Sequence, residues 1–383
     1  SCYLTKTFLR IPGPTPIPPS VKQAMSRPMI GHRDPEAAKL LQEIKPKLKK
    51  VFGTKEDVLT LAGSGTSGLE TAVVNTVQPD DEVLVVVTGS FGDRFDKICE
   101  AHNIKTHRLD IPWGEAVTPK QVKQELIKHP NIKAVFLTYC ETSTGVLNPI
   151  HEIAQAAKEQ SDALIIADGV SCVGGVETKM DDWGIDVLVT GSQKAMMLPA
   201  GLTFLAVSER AWKVIEENKR PRFYFDLRTY RDKLADDSTP YTPALSLLFG
   251  LNQALNLMEE EGLDNVFKRH TLMKEMTRAA FKALDIPLLT TDESASPTVT
   301  AVKPADFDAD EFRKIAKEEF RLSLAGGQKH LKGEIFRVGH MGYCSPADVL
   351  QFLSIIEIAL VKAGKDIELG KGVQAAQTVY LNN

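Results

Sequence analysis

The sequence predicts an α/β fold built on a mainly parallel β-sheet. Between about residues 21 and 265, short β-branched segments alternate with amphipathic helical stretches, and strands joined by helical crossovers form parallel sheets. The predicted strands are Val58–Leu61, Glu82–Val87, Ala134–Thr138, Leu164–Ala167, Val187–Thr190 and Leu202–Val207. The predicted helices between them include Ser67–Val77, Phe91–His102, Pro119–Lys128 and Ile150–Glu159. Such a sheet binds its ligand beyond the carboxyl ends of its strands.

The chain of 383 residues divides into three predicted regions. Residues 1–20 form an extended arm, because Arg10–Pro19 contains five prolines and proline fixes φ and removes a hydrogen-bond donor. Residues 21–260 form a large domain, and residues 261–383 form a smaller α+β domain. The second domain is predicted from the long helical stretch Leu245–Leu284, the strands Thr298–Val302 and Ile335–Val338, and the helices Ala309–Glu319 and Pro346–Ala363. The tail 364–383 has no clear period.

Composition narrows the class of protein. Hydrophobic residues make up 43% of the chain and the net charge is −4, so neither a nucleic acid nor an anionic membrane is an expected partner. The five cysteines are scattered and none forms a CxxC pair, so we expect no disulfide framework and no metal site. The first residues lack a signal-peptide pattern and no apolar run approaches membrane length. We therefore expect a cytoplasmic protein.

An amine and a carboxylate follow two successive predicted strands. Asp168 ends the strand before Gly169, and Lys194 follows the next strand in the turn Thr190–Ala195. A pyridoxal phosphate (PLP) enzyme needs this pair: the lysine bonds covalently to the coenzyme, and the acid keeps the ring nitrogen protonated. Each residue also has a simpler interpretation, since Asp168 suits a helix cap and most lysines after strands are solvated. The stiff, low-charge surroundings of Lys194 favour partial burial, which would lower its pKa.

Three further motifs have both a functional and a structural interpretation. Gly63–Gly68 matches the GxGxxG pattern, but the next strand ends in Thr88 rather than an acidic residue, which argues against a dinucleotide and leaves a phosphate cradle or a tight turn. Arg337 interrupts an apolar strand, either facing water at a sheet edge or binding a substrate carboxylate. Phe91 is either a core aromatic or a plate stacked on a cofactor ring.

These motifs together resemble the class V aminotransferases, in particular the alanine–glyoxylate, serine–pyruvate and serine–glyoxylate group. The resemblance covers nearly the whole chain and implies PLP-transferase fold type I. It rests on seven further motifs in order besides the lysine segment Gly191–Gly201: Pro12–Thr15, Gly31–Arg33, Ser64–Thr66, Phe91–Arg94, Glu141–Gly145, Asp168–Val170 and Phe336–Gly339.

The resemblance implies a role for each site residue. Lys194 would carry PLP and move a proton, and Asp168 would pair with the pyridine nitrogen. Arg337 would bind the substrate α-carboxylate, helped by the backbone of Gly13. The remaining cofactor contacts would come from Ser64, Gly65, Thr66 and Gln193 at the phosphate, Phe91 and Val170 on the two ring faces, and Thr142 at the phenolic oxygen. In this family a second subunit completes the phosphate site, so Thr242, and less directly Thr239, would act across a homodimer.

The resemblance implies ping-pong transamination from a small amino acid, alanine or serine, to a small 2-oxo acid, glyoxylate or pyruvate. Phe91, Thr66 and Thr239 depart from residues common in relatives, which leaves the donor open. Phosphoserine or aminophosphonate transamination would need extra basic groups, for which His32, Arg33 and Lys329 are candidates. A cysteine desulfurase would need a mobile cysteine before Arg337, and 325–330 contains none. A non-enzymatic partner of hydrogenase is the remaining alternative.

Overall fold

The computed structural model describes residues 3–383; Ser1 and Cys2, including the amino end of the expected arm, lie outside the described residues. Its strands, numbered in chain order, are β1 (Phe8–Leu9), β2 (Val58–Gly63), β3 (Glu82–Val87), β4 (Lys105–Asp110), β5 (Ile132–Thr138), β6 (Cys140–Glu141), β7 (Val146–Leu147), β8 (Leu164–Asp168), β9 (Val187–Gly191), β10 (Gly201–Val207), β11 (Val299–Val302), β12 (Leu322–Ser323), β13 (Ala325–Gly326) and β14 (Phe336–Gly339).

The helices are α1 (Pro19–Met25), α2 (Pro35–Phe52), α3 (Gly65–Thr76), α4 (Ser90–Ala101), α5 (Pro119–Lys128), α6 (Ile150–Gln160), α7 (Met180–Trp183), α8 (Glu209–Glu217), α9 (Leu227–Ala235), α10 (Leu245–Glu261), α11 (Leu263–Ala283), α12 (Ala309–Phe320), α13 (Pro346–Lys362) and α14 (Lys371–Leu381). No helix within residues 3–383 has an apolar stretch long enough to cross a membrane. Nor do those residues contain a group of three or more His, Cys, Asp and Glu arranged to hold a metal ion.

A seven-stranded sheet organises the first two thirds of the chain, in the order β2-β10-β9-β8-β5-β3-β4. All its strands are parallel except β10, which is antiparallel to both β2 and β9. Alternate residues of β3, β5 and β8 belong to two different apolar clusters, because successive side chains point to opposite faces and helices cover both. The predicted α/β architecture with a mainly parallel sheet is confirmed.

The last third of the chain forms a second core around the antiparallel sheet β11-β14-β13. Helices α11, α12, α13 and α14 pack around this core. The predicted continuous stretch Leu245–Leu284 is wrong in one respect: it is two helices, separated at Gly262, whose φ of +87° lies outside the helical region. The domain boundary at 260/261 stays a prediction.

The amino-terminal arm connects the two cores. Strand β1 pairs with β12 in parallel, and the Arg10 carbonyl accepts a hydrogen bond from the Gly339 backbone N–H at 2.6 Å. The Arg10 guanidinium also lies 3.3 Å from the carboxylate of Asp348 in α13. The arm is therefore fixed to the second core before it runs back across the first.

Candidate active site

The carboxyl ends of β2, β3, β5, β8 and β9 meet at one edge of the large sheet. After β9, Ser192 holds a tight turn: its hydroxyl donates to the Pro199 carbonyl at 2.7 Å and accepts from the Leu202 backbone N–H at 3.1 Å. This turn is tied to the first residues of β10 and presents Lys194 inward. Lys194 is only 8% exposed, so the alternative of a solvated lysine is wrong.

The arm covers Lys194. The Nζ amine donates to the Pro12 carbonyl, and the Thr15 hydroxyl donates to the Lys194 carbonyl at 3.1 Å. A Cβ at Gly13 would overlap the Lys194 side chain, so only glycine allows the arm to approach this closely. Burial lowers the pKa of Lys194 to about 8, with the Arg337 charge acting in the same direction. A larger fraction of the amine is therefore neutral near pH 8, as a nucleophile or base requires.

Asp168 is the last residue of β8 and is buried. The residues after β8 form turns rather than a helix, so the simpler interpretation of a helix cap is wrong. The Asp168 carboxylate accepts one hydrogen bond through Oδ1, from the Val170 backbone N–H at 2.9 Å. Within residues 3–383 this is its one hydrogen bond, and it forms no ion pair. Burial raises the pKa of Asp168 to about 7. A buried carboxylate with so few partners is suited to a cationic ligand group.

The turn between β2 and α3 forms a helix N-terminus at the same edge. Ser64 is the N-cap residue, and its hydroxyl accepts from the Ser67 backbone N–H at 3.2 Å. Gly65 and Thr66 occupy the first turn, where backbone N–H groups have no partner within the helix. The Oε1 atom of Gln193 is buried without a hydrogen-bond partner in residues 3–383. Unpaired N–H groups at a helix N-terminus favour an anion such as phosphate.

Phe91 lies in the first turn of α4 and is half-buried, which differs from a closed core position. The guanidinium carbon of Arg94 lies 4.8 Å from the centre of the Phe91 ring. One Arg94 nitrogen also donates to the Thr66 hydroxyl at 3.3 Å. The ring therefore has an accessible surface beside the helix N-terminus of α3, which suits a stacking role.

Arg337 approaches the site from the second core. It lies on β14, the central strand of its sheet, and is 6% exposed, so the alternative of a water-facing edge-strand arginine is wrong. Its Nε donates to the Gly326 carbonyl at 2.8 Å and its Nη1 to the Thr142 carbonyl at 3.0 Å. Burial lowers the pKa of Arg337 to about 10, which leaves it charged at neutral pH. The side chain of Thr142 is hydrogen-bonded to the Ser171 hydroxyl.

Two of the predicted residues are not joined to this cluster. Thr242 is exposed and forms no hydrogen bond with any residue of 3–383. The Thr239 hydroxyl donates to the Tyr241 carbonyl at 2.7 Å, and Arg33 donates to the Ser238 hydroxyl and the Thr239 carbonyl at 2.6 Å each. Within one chain, the segment 238–242 thus forms its own local structure.

Sequence reasoning missed several groups that hold the site together. The backbone carbonyls of Pro12 and Gly326 position Lys194 and Arg337, and a carbonyl has no side-chain signal in a sequence. Ser171 and Thr15 contribute hydroxyls in the same way. Glu141 is fully buried beside Thr142, and its position in the motif Glu141–Gly145 was the available signal.

These residues fit PLP on structural grounds. The amine of lowered pKa suits the aldehyde, the under-bonded carboxylate of Asp168 suits a protonated ring nitrogen, and the α3 N-terminus suits the phosphate. The sequence matches the family described as "Aminotransferase class-V" over residues 8–352. The chain belongs to this family. It is therefore an aminotransferase, and it depends on PLP.

Relatives of the chain match over nearly full length. It is 42% identical to the "Soluble hydrogenase, small subunit" of Synechococcus, with 98% of each chain covered. It is 36% identical to the L-aspartate–glyoxylate aminotransferase of Paracoccus denitrificans, covering 97% of this chain and 95% of the other. It is 37% identical to the serine–glyoxylate aminotransferase of Hyphomicrobium methylovorum, covering 98% and 95%.

Solved structures agree with the fold. The crystal structure of the ureidoglycine–glyoxylate aminotransferase of Bacillus subtilis matches with a TM-score of 0.91 at 32% identity, covering 100% of both chains. The chain therefore has the PLP-transferase fold that the resemblance implied, with a large α/β sheet domain and a small carboxyl-terminal domain. The individual site residues stay predictions from the motif and the geometry.

Proposed function

We propose that this aminotransferase moves the amino group of a small amino acid, alanine or serine, to a small 2-oxo acid, glyoxylate or pyruvate, in ping-pong fashion. The observation that carries the proposal is one buried cluster: the charges of Asp168 and Arg337 both act on the pKa of the Lys194 amine. Glyoxylate as acceptor is supported by the names of the Paracoccus, Hyphomicrobium and Bacillus enzymes.

PLP, when bound, supplies the aldehyde that takes up the amino group and the ring that accepts electron density from the substrate Cα. Lys194 would hold the coenzyme covalently in the resting enzyme, and its amine would take the substrate Cα proton as a general base. Asp168 holds a positive charge at the ring nitrogen, because a buried carboxylate with one hydrogen bond gains most from a cationic partner. The phosphate would be held by Ser64, Gly65, Thr66 and Gln193. Phe91 and Val170 would pack against the ring faces, and Thr142 would be the residue at the phenolic oxygen.

Arg337 limits the substrate to one well-held carboxylate. Its Nε and Nη1 are bonded to protein carbonyls, while Nη2 forms no hydrogen bond with any residue of 3–383. The fixed guanidinium thus offers its outer edge to the α-carboxylate, and we propose the Gly13 backbone, which lies against the Lys194 side chain, as a second contact. Phosphoserine or aminophosphonate has less support, because Arg33 and Lys329 are already bonded to the 238–239 segment and to Asp93.

Catalysis has more support than the alternative of a hydrogenase partner protein. The Synechococcus relative carries a hydrogenase name, but a scaffold has no need of a buried lysine with a lowered pKa beside an under-bonded carboxylate. A purified protein with the absorption of bound PLP and turnover of amino acids would agree with the enzyme. We keep the cytoplasm as the proposed compartment.

We also propose a homodimer with shared active sites. Thr242 is exposed and forms no hydrogen bond with residues 3–383, and it lies next to Tyr241, a half-buried ring that contacts the exposed rings of Phe223 and Tyr224. Phe223 is 78% exposed, and large exposed aromatic side chains are common at protein interfaces. A second copy covering this surface would bring Thr242 to the phosphate of the other site.

Subunit mixing tests the shared site directly. Lys194→Ala and Thr242→Asp variants are each expected to be inactive as homodimers. In a mixed dimer, one site combines the intact Lys194 of one copy with the intact Thr242 of the other, so random mixing should restore about a quarter of wild-type activity. No recovery from mixtures that native mass spectrometry shows to contain mixed dimers would contradict the proposal.

A substrate panel tests the reaction. Alanine, serine, aspartate and phosphoserine are each assayed with glyoxylate and with pyruvate, and kcat/KM is compared. We expect alanine or serine with glyoxylate to give the highest values, and parallel lines in double-reciprocal plots, as ping-pong kinetics require. A preference for aspartate or phosphoserine would overturn the proposed donor, and intersecting lines would overturn the ping-pong order.

A further inference from the structure

Glu141 is a buried carboxylate at the centre of the candidate site to which none of the roles above is assigned. Its side chain is fully buried, and within residues 3–383 it forms no ion pair. Its two oxygens instead accept four hydrogen bonds. Oε1 accepts from the Gly92 backbone N–H at 3.1 Å, and Oε2 accepts from the Phe91 and Ser143 backbone N–H groups at 3.3 and 3.2 Å and from the Ser143 hydroxyl at 2.7 Å.

Two of these four hydrogen bonds, those from Phe91 and Gly92, place the carboxylate at the N-terminus of α4. The N-cap residue of this helix is Gly89, which has no side chain to bond the first N–H groups. The Ser143 hydroxyl accepts from the Ser90 backbone N–H at 3.0 Å, and Glu141 accepts the next two, from Phe91 and Gly92. A Cβ at Gly89 would overlap both the Glu141 and the Ser143 side chains. A distant segment of the chain therefore supplies the cap that the helix itself lacks.

The same residue is linked to the other side of the site. Glu141 precedes Thr142 in the chain, and the Thr142 carbonyl accepts the Nη1 hydrogen bond of Arg337. The Glu141 charge also raises the pKa of Arg337, against the lowering effect of burial. Glu141 thus binds the backbone N–H of Phe91 and directly precedes Thr142, whose carbonyl holds the Arg337 guanidinium.

We propose that Glu141 is a positioning residue. It keeps the Phe91 ring and the Arg337 guanidinium at fixed positions relative to each other, on either side of the coenzyme site. The inference rests on the proposed placement of PLP between Phe91 and Val170. Glu141 touches neither coenzyme nor substrate; it acts through the backbone of α4 and through Thr142. A loose α4 N-terminus would let the ring plane tilt, and a shifted Thr142 carbonyl would release Arg337.

The role requires a carboxylate rather than any buried acceptor. All four groups that face Glu141 are donors, so the NH₂ group of a glutamine would meet a backbone N–H wherever it pointed. A negative charge at a helix N-terminus is also favoured by the helix dipole. Glu141→Gln keeps the size of the side chain and removes both properties.

Glu357 provides a matched control in the second core. It is also a buried glutamate that caps a helix N-terminus: its oxygens accept from the Gly370 and Val373 backbone N–H groups at 2.6 and 3.2 Å, at the start of α14. Glu357→Gln should lower the Tm, because it weakens an equivalent buried cap. It should leave the bound coenzyme unchanged, because α14 contributes nothing to the site.

The experiment compares wild type, Glu141→Gln and Glu357→Gln as holoenzymes. We measure the Kd for PLP, the visible circular dichroism of the bound coenzyme, and KM and kcat for the amino donor. Glu141→Gln is expected to weaken PLP binding about tenfold, to reduce the circular dichroism band and to raise KM for the donor. If Glu141→Gln and Glu357→Gln lower the Tm but both keep the wild-type Kd and circular dichroism, the inference is wrong.

Two further measurements keep the outcome decisive. If Glu141→Gln does not fold, Ser143→Ala removes one donor to the carboxylate and the bond to Ser90, and should weaken PLP binding about threefold; an unchanged Kd would overturn the inference. Borohydride reduction followed by mass spectrometry locates the coenzyme adduct in wild type. An adduct absent from Lys194 overturns the proposed site and this inference with it, whereas an adduct on Lys194 with no effect of Glu141→Gln overturns the inference alone.

Discussion

Asp168 and Asp186 are buried carboxylates at opposite ends of the neighbouring strands β8 and β9, and they differ in the hydrogen bonds and ion pairs that the protein supplies to them. Asp186 precedes β9 at the amino end of the strands, and its oxygens accept from the Ile165 backbone N–H, the Ser208 hydroxyl and the Arg210 guanidinium, at 2.7–3.2 Å. Asp168 ends β8 at the carboxyl end, and its carboxylate accepts one hydrogen bond from residues 3–383. The carboxylate of Asp186, at the amino end of the strands, is therefore paired within the protein. The carboxylate of Asp168, at the carboxyl end, is left to pair with a ligand.

The cations near the two carboxylates, Arg210 and Lys194, differ in the same way. Arg210 forms an ion pair with Asp186 at 2.7 Å, whereas Lys194 donates only to a backbone carbonyl. An unpaired buried charge destabilises a fold. The active-site edge therefore lowers the stability of the coenzyme-free protein, and bound PLP would restore it by supplying the missing opposite charges.

The largest expected effect is on kcat, and it distinguishes Lys194 from Arg210. Lys194→Ala should lower kcat by about 10³-fold or more, because the variant loses both the proposed general base and the proposed covalent attachment point. Arg210→Ala should keep kcat per folded molecule near wild type while costing about 2–4 kcal/mol of stability, because it leaves Asp186 buried and unpaired. Single-turnover kinetics and chemical denaturation measure the two quantities. Comparable loss of kcat in both variants would remove the distinction between the edges.

The second prediction concerns the two carboxylates in coenzyme-free protein. The folded pKa of Asp168, about 7, lies above the ordinary value of 3.8, so the ionised form destabilises the fold. This penalty is absent below pH 4, grows between pH 4 and 7, and is complete above pH 7. Asp168→Asn should therefore stabilise the protein at pH 8 by up to about 4 kcal/mol and have little effect at pH 4.

Asp186→Asn should do the reverse. It removes the negative charge that faces Arg210 and should destabilise the protein by about 2–4 kcal/mol at pH 8. Urea denaturation of both variants at pH 4 and pH 8, without PLP, measures the difference. Destabilisation by Asp168→Asn at pH 8 would show that its carboxylate has partners that the structure does not contain.

The third prediction extends the comparison to Arg337. Arg337→Ala should raise KM for the amino donor by about 10- to 150-fold, which corresponds to the 1.5–3 kcal/mol of a charge-assisted hydrogen bond. Arg337→Lys should recover little, because an ammonium lacks the planar fork. The Kd for PLP serves as the internal control and should change less than KM. An unchanged KM would mean that the guanidinium only ties Gly326 to Thr142.

The smallest effect is the pH dependence of coenzyme attachment. Only the neutral amine reacts with the aldehyde, so the rate of reconstitution should rise about tenfold per pH unit and level off near pH 8, the pKa of Lys194. Asp168→Asn should move this midpoint lower, because the Asp168 charge raises the pKa of Lys194. Asp186→Asn should leave it in place. A rate still rising at pH 10 would show an ordinary lysine. Stopped-flow absorbance follows the attachment.

Much of the fold could be predicted because its core strands have strong local patterns. β3 and α5 match their predicted ranges, and α13 begins at Pro346 as predicted. β4 was missed because the edge strand Lys105–Asp110 is polar and largely exposed, without an apolar run. α14 was missed because its few buried residues produce no clear period. Long-range contacts decided both elements.

The candidate site likewise contains residues that could be predicted from the sequence and residues whose positions depend on long-range contacts. Lys194, Asp168 and the α3 N-terminus could be predicted because each lies at a strand end, where topology alone brings residues together. The burial of Arg337 could not be predicted, since it depends on β14 being flanked by β11 and β13. The positions of Thr142 and Glu141 depend on contacts with α4 and the second core.

The amino-terminal arm has a consequence for how the enzyme matures during synthesis. Residues 8–15 are made first, but their partners at Leu322, Gly339 and Asp348 leave the ribosome last. Until then the arm lacks its contacts with the second core and is bonded to the first core alone, through Pro12 and Thr15. A nascent chain stalled before residue 320 therefore lacks β12 and the Arg10–Asp348 ion pair that fix the arm, and we expect it to hold PLP more weakly than the complete polypeptide does.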